Sequence, residues 1–174
     1  MTAADIVKGA AVVFLASVVQ VTLLSSVQVV GGTPDLVLVT LVAVALLRGS
    51  IFGAVAGFAA GLIVDTANLT TLGVTSLLLT LAGYWIGRYG ETTGRDRTHA
   101  PFVSVAVVTI LYAFGALFLH YMLGDEVSAR RVLIEALPPS LIFNLLLTLP
   151  AYAVCRRLFS FGTRMETAEV RLLG

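Results

Sequence analysis

The chain has 174 residues, of which 58 % are apolar and only 12 % are charged, and its net charge is +1. This composition excludes a disordered chain and argues against a water-soluble globule, because too few polar residues remain to cover a surface. The balanced charge gives no reason to expect nucleic acid as a partner. The single cysteine, Cys155, cannot form an internal disulfide, and no Cys/His cluster suggests a metal site. We therefore expect an all-α integral membrane protein.

The apolar segments, taken in chain order, predict one domain (residues 1–174) with six transmembrane helices. The predicted spans cover residues 9–30, 34–47, 50–65, 72–87, 102–123 and 136–157. A span needs about 20 apolar residues, and the middle three segments are shorter than that. They are either re-entrant pieces covered by other protein, or short spans around which the bilayer thins. We favour short spans packed inside a bundle.

The distribution of basic residues predicts the topology. Six spans with both termini in the cytoplasm place nine Lys and Arg residues inside, and leave only Arg130 and Arg131 outside. This is a strong positive-inside bias. Residues 91–99 then form a disordered polar turn in the cytoplasm, and residues 158–174 form a cytoplasmic tail. The apolar spacing in residues 129–136 predicts a short helix on the outer membrane face that leads into the last span.

The third segment carries Gly53, Gly57 and Gly61, one glycine at every fourth position. This spacing makes a groove without side chains along one helix face, which Ala56 and Ala60 widen. Another backbone can approach closely there and gain dispersion contacts. Packing within the chain is the first interpretation, and an interface with a partner's transmembrane helix is the second.

Two carboxylates lie at the predicted outer ends of short segments. Asp35 follows Pro34 at a helix start, where the helix dipole favours a negative charge. Asp65 ends the third segment, where the dipole opposes it. Asp65 therefore needs water, capping donors such as Thr66 or Asn68, or a cation. We expect it to be a solvated end residue, or to pair with Arg130, Arg131 or a basic residue of a partner.

The other polar residues near the spans do not form a catalytic set. Gln20 and Asn144 are predicted to form hydrogen bonds between helices. His120 has no second His or Cys nearby, which argues against a metal role. No combination of nucleophile, base and orienting group can be drawn from these residues, and no phosphate-binding loop is present. The sequence predicts neither catalysis nor a cofactor.

The segment 34–88 carries a set of positions in a specific order, namely Pro34-Asp35-Leu36, Leu46-Leu47-Arg48-Gly49, Gly53, Gly57, Phe58, Gly61, Leu62, Asp65, Leu72-Gly73, Leu77 and Gly83-Tyr84. With these positions, the segment resembles the MreD family of bacterial rod shape-determining membrane proteins. Their order and spacing are specific in combination, whereas the last two spans match the family in hydropathy only.

The resemblance implies a multi-span scaffold of the cell-wall elongation machinery in the bacterial cytoplasmic membrane. It implies binding to the single-span protein MreC, and work alongside RodZ, MreB filaments, a SEDS-family glycosyltransferase and a class B penicillin-binding protein in peptidoglycan synthesis. It also implies a fold similar to the S components of energy-coupling-factor transporters. A vitamin-binding S component is therefore the alternative function, and a flippase or channel is a third.

Overall fold

The computed structural model describes residues 3–24, 32–94, 99–124 and 128–172. These residues form six helices and no strand, which confirms the predicted all-α class. The helices are α1 (Ala3–Val19), α2 (Leu36–Arg48), α3 (Ser50–Asn68), α4 (Val74–Tyr89), α5 (Ala100–Met122) and α6 (Leu137–Leu172). Wider π-helical turns extend α1 at Gln20–Leu24 and α4 at Gly90–Gly94, and a third precedes α6 at Arg131–Ala136.

Helix α2 is the centre of the bundle. Ten consecutive residues, 37–46, are buried, and α2 contacts all five other helices. Its sequence is apolar on every side, which is typical of a helix surrounded by protein. At about 1.5 Å per residue, its 13 residues extend about 20 Å, well short of a hydrocarbon core of about 30 Å. Its neighbours therefore cover its ends at membrane depth.

A single residue, Gly49, connects α2 to α3. Its φ of +96° lies in the left-handed region that glycine adopts without strain. Its N–H donates to the Ala45 carbonyl at 2.8 Å, and its carbonyl accepts from the N–H of Gly53 at 3.0 Å. One residue thus ends α2 and begins α3, which holds the two helices in a tight corner.

The observed helix lengths differ in places from the predicted spans. Three described segments are long and apolar enough to cross a membrane, namely Ser50–Asn68, Ala100–Met122 and Arg131–Phe159. Helix α3 is one of them, because it continues past Asp65 to Asn68. The first predicted span reached residue 30, whereas its described apolar helix is the shorter Ile6–Thr22 and residues 25–31 lie outside the described residues.

The last helix begins from a wide turn. Pro138 and Pro139 have no N–H to donate to carbonyls four residues earlier, so the preceding turn lacks two ordinary helical hydrogen bonds. The Leu137 N–H donates instead to the Val132 carbonyl, five residues back. The segment predicted to lead into the last span thus joins α6 directly, and α6 continues through the predicted tail to Leu172.

Candidate functional site

The glycine face of α3 packs against α4 of the same chain. A Cβ at Gly57 would overlap the Leu79 carbonyl, and one at Gly61 would overlap the backbone of Ser76. Gly53 and Gly83 face each other, so that a Cβ on either would overlap the other's backbone. In this arrangement α4 occupies the face for which a partner helix was the second interpretation.

Glycines on α4 complete this contact. A Cβ at Gly87 would overlap Gly49 at the corner between α2 and α3. Gly83 and Gly87 are four residues apart, so the spacing that indicates the glycine face on α3 is also present on α4. Ala56 and Ala60 are buried in the core that surrounds α2.

Asp65 is fully buried and caps the beginning of α4. Its Oδ2 accepts hydrogen bonds from the N–H of Gly73 at 2.8 Å and of Ser76 at 3.4 Å, and its Oδ1 accepts from the Thr70 hydroxyl at 3.4 Å. The positive end of the α4 dipole also favours a carboxylate at this position. Asp65 therefore stabilises the α3–α4 turn.

The expected solvation of Asp65 and its pairing with Arg130 or Arg131 are absent from the structure. Both arginines are exposed, and within the described part of the chain neither forms an ion pair with Asp65. The difference has a physical reason, because backbone N–H groups and a hydroxyl already satisfy the fully buried carboxylate.

Asp35 caps α2, as its position after Pro34 predicts. Its Oδ1 accepts from the Leu38 N–H at 2.9 Å. Its own N–H donates to the Asn144 side-chain oxygen at 2.8 Å, and the Asn144 amide donates to the Thr109 hydroxyl at 3.1 Å. The start of α2 is thereby tied to α5 and α6.

Gln20 ties the same point to α1. Its side-chain oxygen accepts from the Leu36 N–H at 2.8 Å, and its side-chain amide donates to the Pro34 carbonyl at 3.1 Å. The prediction that Gln20 and Asn144 form hydrogen bonds between helices is confirmed. We call this side of the bundle the Asp35 end, and the opposite side the Arg48 end.

A cavity of about 210 Å³ opens beside Asp35, between the start of α2, the C-terminal half of α5 and the beginning of α6. Its polar lining residues are Thr33, Asp35, Thr109, Tyr112, His120, Ser140 and Asn144. Its apolar lining residues are Leu38, Ala113, Ala116, Leu117, Val132, Ala136 and Leu137. Sequence reasoning missed this cavity, because its lining comes from three segments whose meeting point no local pattern encodes.

Among the described residues, no group of three or more His, Cys, Asp or Glu side chains is arranged to hold a metal ion.

At the Arg48 end, Glu91 ties the turn after α4 to the beginning of α3. Its Oε1 accepts from the Ser50 N–H at 2.7 Å and from the Ser50 hydroxyl at 3.0 Å, and its Oε2 lies 3.5 Å from the Arg88 guanidinium. These contacts, the Ser50 N–H first, lower the pKa of Glu91 below its ordinary value. The prediction of a disordered turn is wrong at Glu91. Its carboxylate is held in place because it accepts from the first N–H of α3, which lies 41 residues earlier in the sequence. Residues 95–98 of that predicted turn lie outside the described residues.

Comparison with known proteins adds one finding. A sequence model of the family described as rod shape-determining protein MreD matches residues 6–161, which is most of the chain. No curated protein and no solved structure matches it. The likeness to S components therefore stays a prediction.

The first prediction concerns the contact between α3 and α4. Replacing Gly57 with alanine forces the two backbones apart, and should lower the free energy of unfolding by about 1–3 kcal/mol. Cys155 is the chain's only cysteine and is buried, so its labelling by a thiol-reactive dye reports unfolding in detergent. Gly115→Ala is the control, because its Cβ meets only the flexible side chain of Leu78. Equal stability of the two variants would contradict the packing described.

The second prediction concerns the cap on α4. Asp65→Asn replaces one carboxylate oxygen with an NH2 group that cannot accept from a buried N–H, and should destabilise the protein by about 1–3 kcal/mol in the same assay. Glu135→Gln, at an exposed position near the Asp35 end, should have little effect. If the two variants unfold alike, Asp65 does not cap α4.

The third prediction concerns pH. Because folding lowers the pKa of Glu91 from its ordinary 4.5, the contact contributes stability above that value and loses it as the pH falls through the folded pKa. Glu91→Gln should therefore be less stable than the unmodified protein at neutral pH, and the difference should shrink in acid. Thermal unfolding measured across this range checks the sign, and a difference independent of pH would contradict it.

Proposed function

This chain belongs to the MreD family of rod shape-determining proteins, and from that premise we propose that it is a non-enzymatic scaffold of the cell-wall elongation complex. In this role it binds MreC and supports peptidoglycan synthesis, alongside RodZ, MreB, a SEDS-family glycosyltransferase and a class B penicillin-binding protein. The family match over residues 6–161 is the observation that carries the proposal. The apolar helices are those of a membrane protein.

The proposed location is the bacterial cytoplasmic membrane, with both termini and the Arg48 end in the cytoplasm. Arg48 and Arg88 lie at that end, near the contact between Glu91 and Ser50. Arg130 and Arg131 lie toward the Asp35 end, at the beginning of the wide turn that leads into α6. The excess of basic residues at the Arg48 end supports this orientation.

The face of α3 opposite its glycines is the proposed binding surface for the MreC transmembrane helix. Ile51, Val55, Phe58 and Leu62 follow one another at intervals of three or four residues, and are 37–78 % exposed. Such a spacing presents one continuous apolar stripe to a partner helix. The glycine contacts with α4 hold α3 firmly from behind, so little ordering cost remains for binding.

A photo-crosslinking experiment tests this surface. A benzophenone amino acid at position 55 should form an adduct with MreC in cells, because the partner helix lies against it. Leu146 on α6 is the matched control, since it is 62 % exposed and Val55 is 65 % exposed. Adducts at position 146 but not at 55 would move the interface away from α3.

Truncation of an aromatic side chain tests the same surface energetically. Phe58→Ala should weaken MreC association by about tenfold, because buried aromatic anchors contribute most of the binding energy at interfaces. Phe114→Ala on α5 is the control, with 51 % exposure against 52 % for Phe58. Association is measured by copurification in mild detergent.

The same experiment tests the alternative function, because recovery of an ATPase-bearing transporter module without any wall-synthesis protein would identify an S component.

A further inference from the structure

The cavity at the Asp35 end is not used by the proposed scaffold function, and its lining specifies a ligand. Its volume of about 210 Å³ is below the 300–1,000 Å³ typical of drug-sized pockets. It therefore has room for a single short group, about the size of one long side chain.

The polar side of the cavity offers acceptors around one carboxylate. The Asn144 side chain accepts from the Asp35 N–H and donates to the Thr109 hydroxyl. These two hydrogen bonds hold Asn144 in place at the cavity wall. Asp35, Thr109, Tyr112 and Ser140 also line the space, and the Asp35 carboxylate, which accepts from the Leu38 N–H at Oδ1, has further lone pairs that can accept. An ammonium group has three donors and no acceptor, and it complements such a lining.

The remaining lining excludes other ligand classes. No lysine or arginine is among the lining residues that the structure describes, and His120 is the one basic side chain among them. A phosphate or carboxylate ligand would face Asp35 without a compensating cation. Leucine, alanine and valine side chains form the rest of the wall, and they suit a short hydrocarbon stem.

We propose that this cavity binds a primary ammonium group on a short apolar stem, with the ammonium at Asp35 and the stem against Ala116 and Leu117. Two sources carry this chemistry, namely a lysine side chain of a partner segment and a free small amine. A lysine combines both features in one side chain, since its stem is apolar and its head is charged.

The test uses the full chain purified in mild detergent, with n-butylammonium chloride as the probe and n-butanol as its uncharged counterpart. Calorimetric titration should show saturable binding of the ammonium, and none of the alcohol. The ammonium should also slow dye labelling of Cys155 on heating, because a ligand that binds the folded state stabilises it.

Two variants remove different parts of the site. Asp35→Asn removes the charge but keeps a residue that caps helices as well as aspartate does. Ala116→Phe fills the cavity and leaves the cap untouched. Each should weaken ammonium binding by about tenfold or more, because the first removes a charge-assisted hydrogen bond and the second occupies the space of the ligand. Glu135→Gln and Val103→Phe are the matched controls, and should change the affinity less than twofold.

The outcomes are distinct. Absence of saturable binding to the folded protein, or equal affinity in Asp35→Asn, overturns the proposal. Binding that both variants lose and both controls keep supports it, whatever the chain's partner proves to be. Repeating the titration on the complex with MreC identifies the source, because a partner lysine in the cavity blocks the probe and a free amine leaves the cavity open to it.

Discussion

The rest of the structure depends on the enclosure of α2 by protein. A helix of 13 residues exposed to lipid would leave terminal N–H and C=O groups inside the hydrocarbon, where no water satisfies them. Terminal groups of α2 therefore need protein partners, and neighbouring elements supply several of them. Gln20 and Asn144 reach the start of α2 from the end of α1 and from α6, and the Gly49 N–H donates to the Ala45 carbonyl in the last turn of α2. The short helix and the polar side chains around it are thus parts of one arrangement.

The same requirement explains the acidic residues near the helix ends. Asp35 and Asp65 each sit at the beginning of a helix, and accept from N–H groups that have no partner within that helix. Glu91 does the same for the first turn of α3 from the other end of the bundle. Three carboxylates in a chain with so few charges therefore have structural partners. Asp35 differs from the other two because it also borders an open cavity.

Local patterns were sufficient to predict the all-α class, the glycine face of α3 and the helix start at Asp35, because each depends on residues a few positions apart. They did not show that α4 covers the glycine face. Gln20 and Asn144 could be predicted as bonding residues, since a lone amide in an apolar span requires a partner. The partners of Asp65 were not predicted, because the local pattern does not show which N–H groups in the turn into α4 reach its carboxylate. Glu91 and the cavity escaped prediction for the same reason, since their partners lie 41 or more residues away or on three different elements.

The facing glycines of α3 and α4 limit how this pair of helices can change. When a larger residue appears at most buried positions, a smaller residue opposite can make room for it. Gly53 and Gly83 meet backbone to backbone, so neither neighbour has a side chain left to shrink. Suppressor mutations for a substitution at either position must therefore arise elsewhere, by letting one helix shift as a body. Sequence change during evolution is restricted at this contact between α3 and α4 for the same reason, because neither helix can accept a larger residue there unless the other helix shifts.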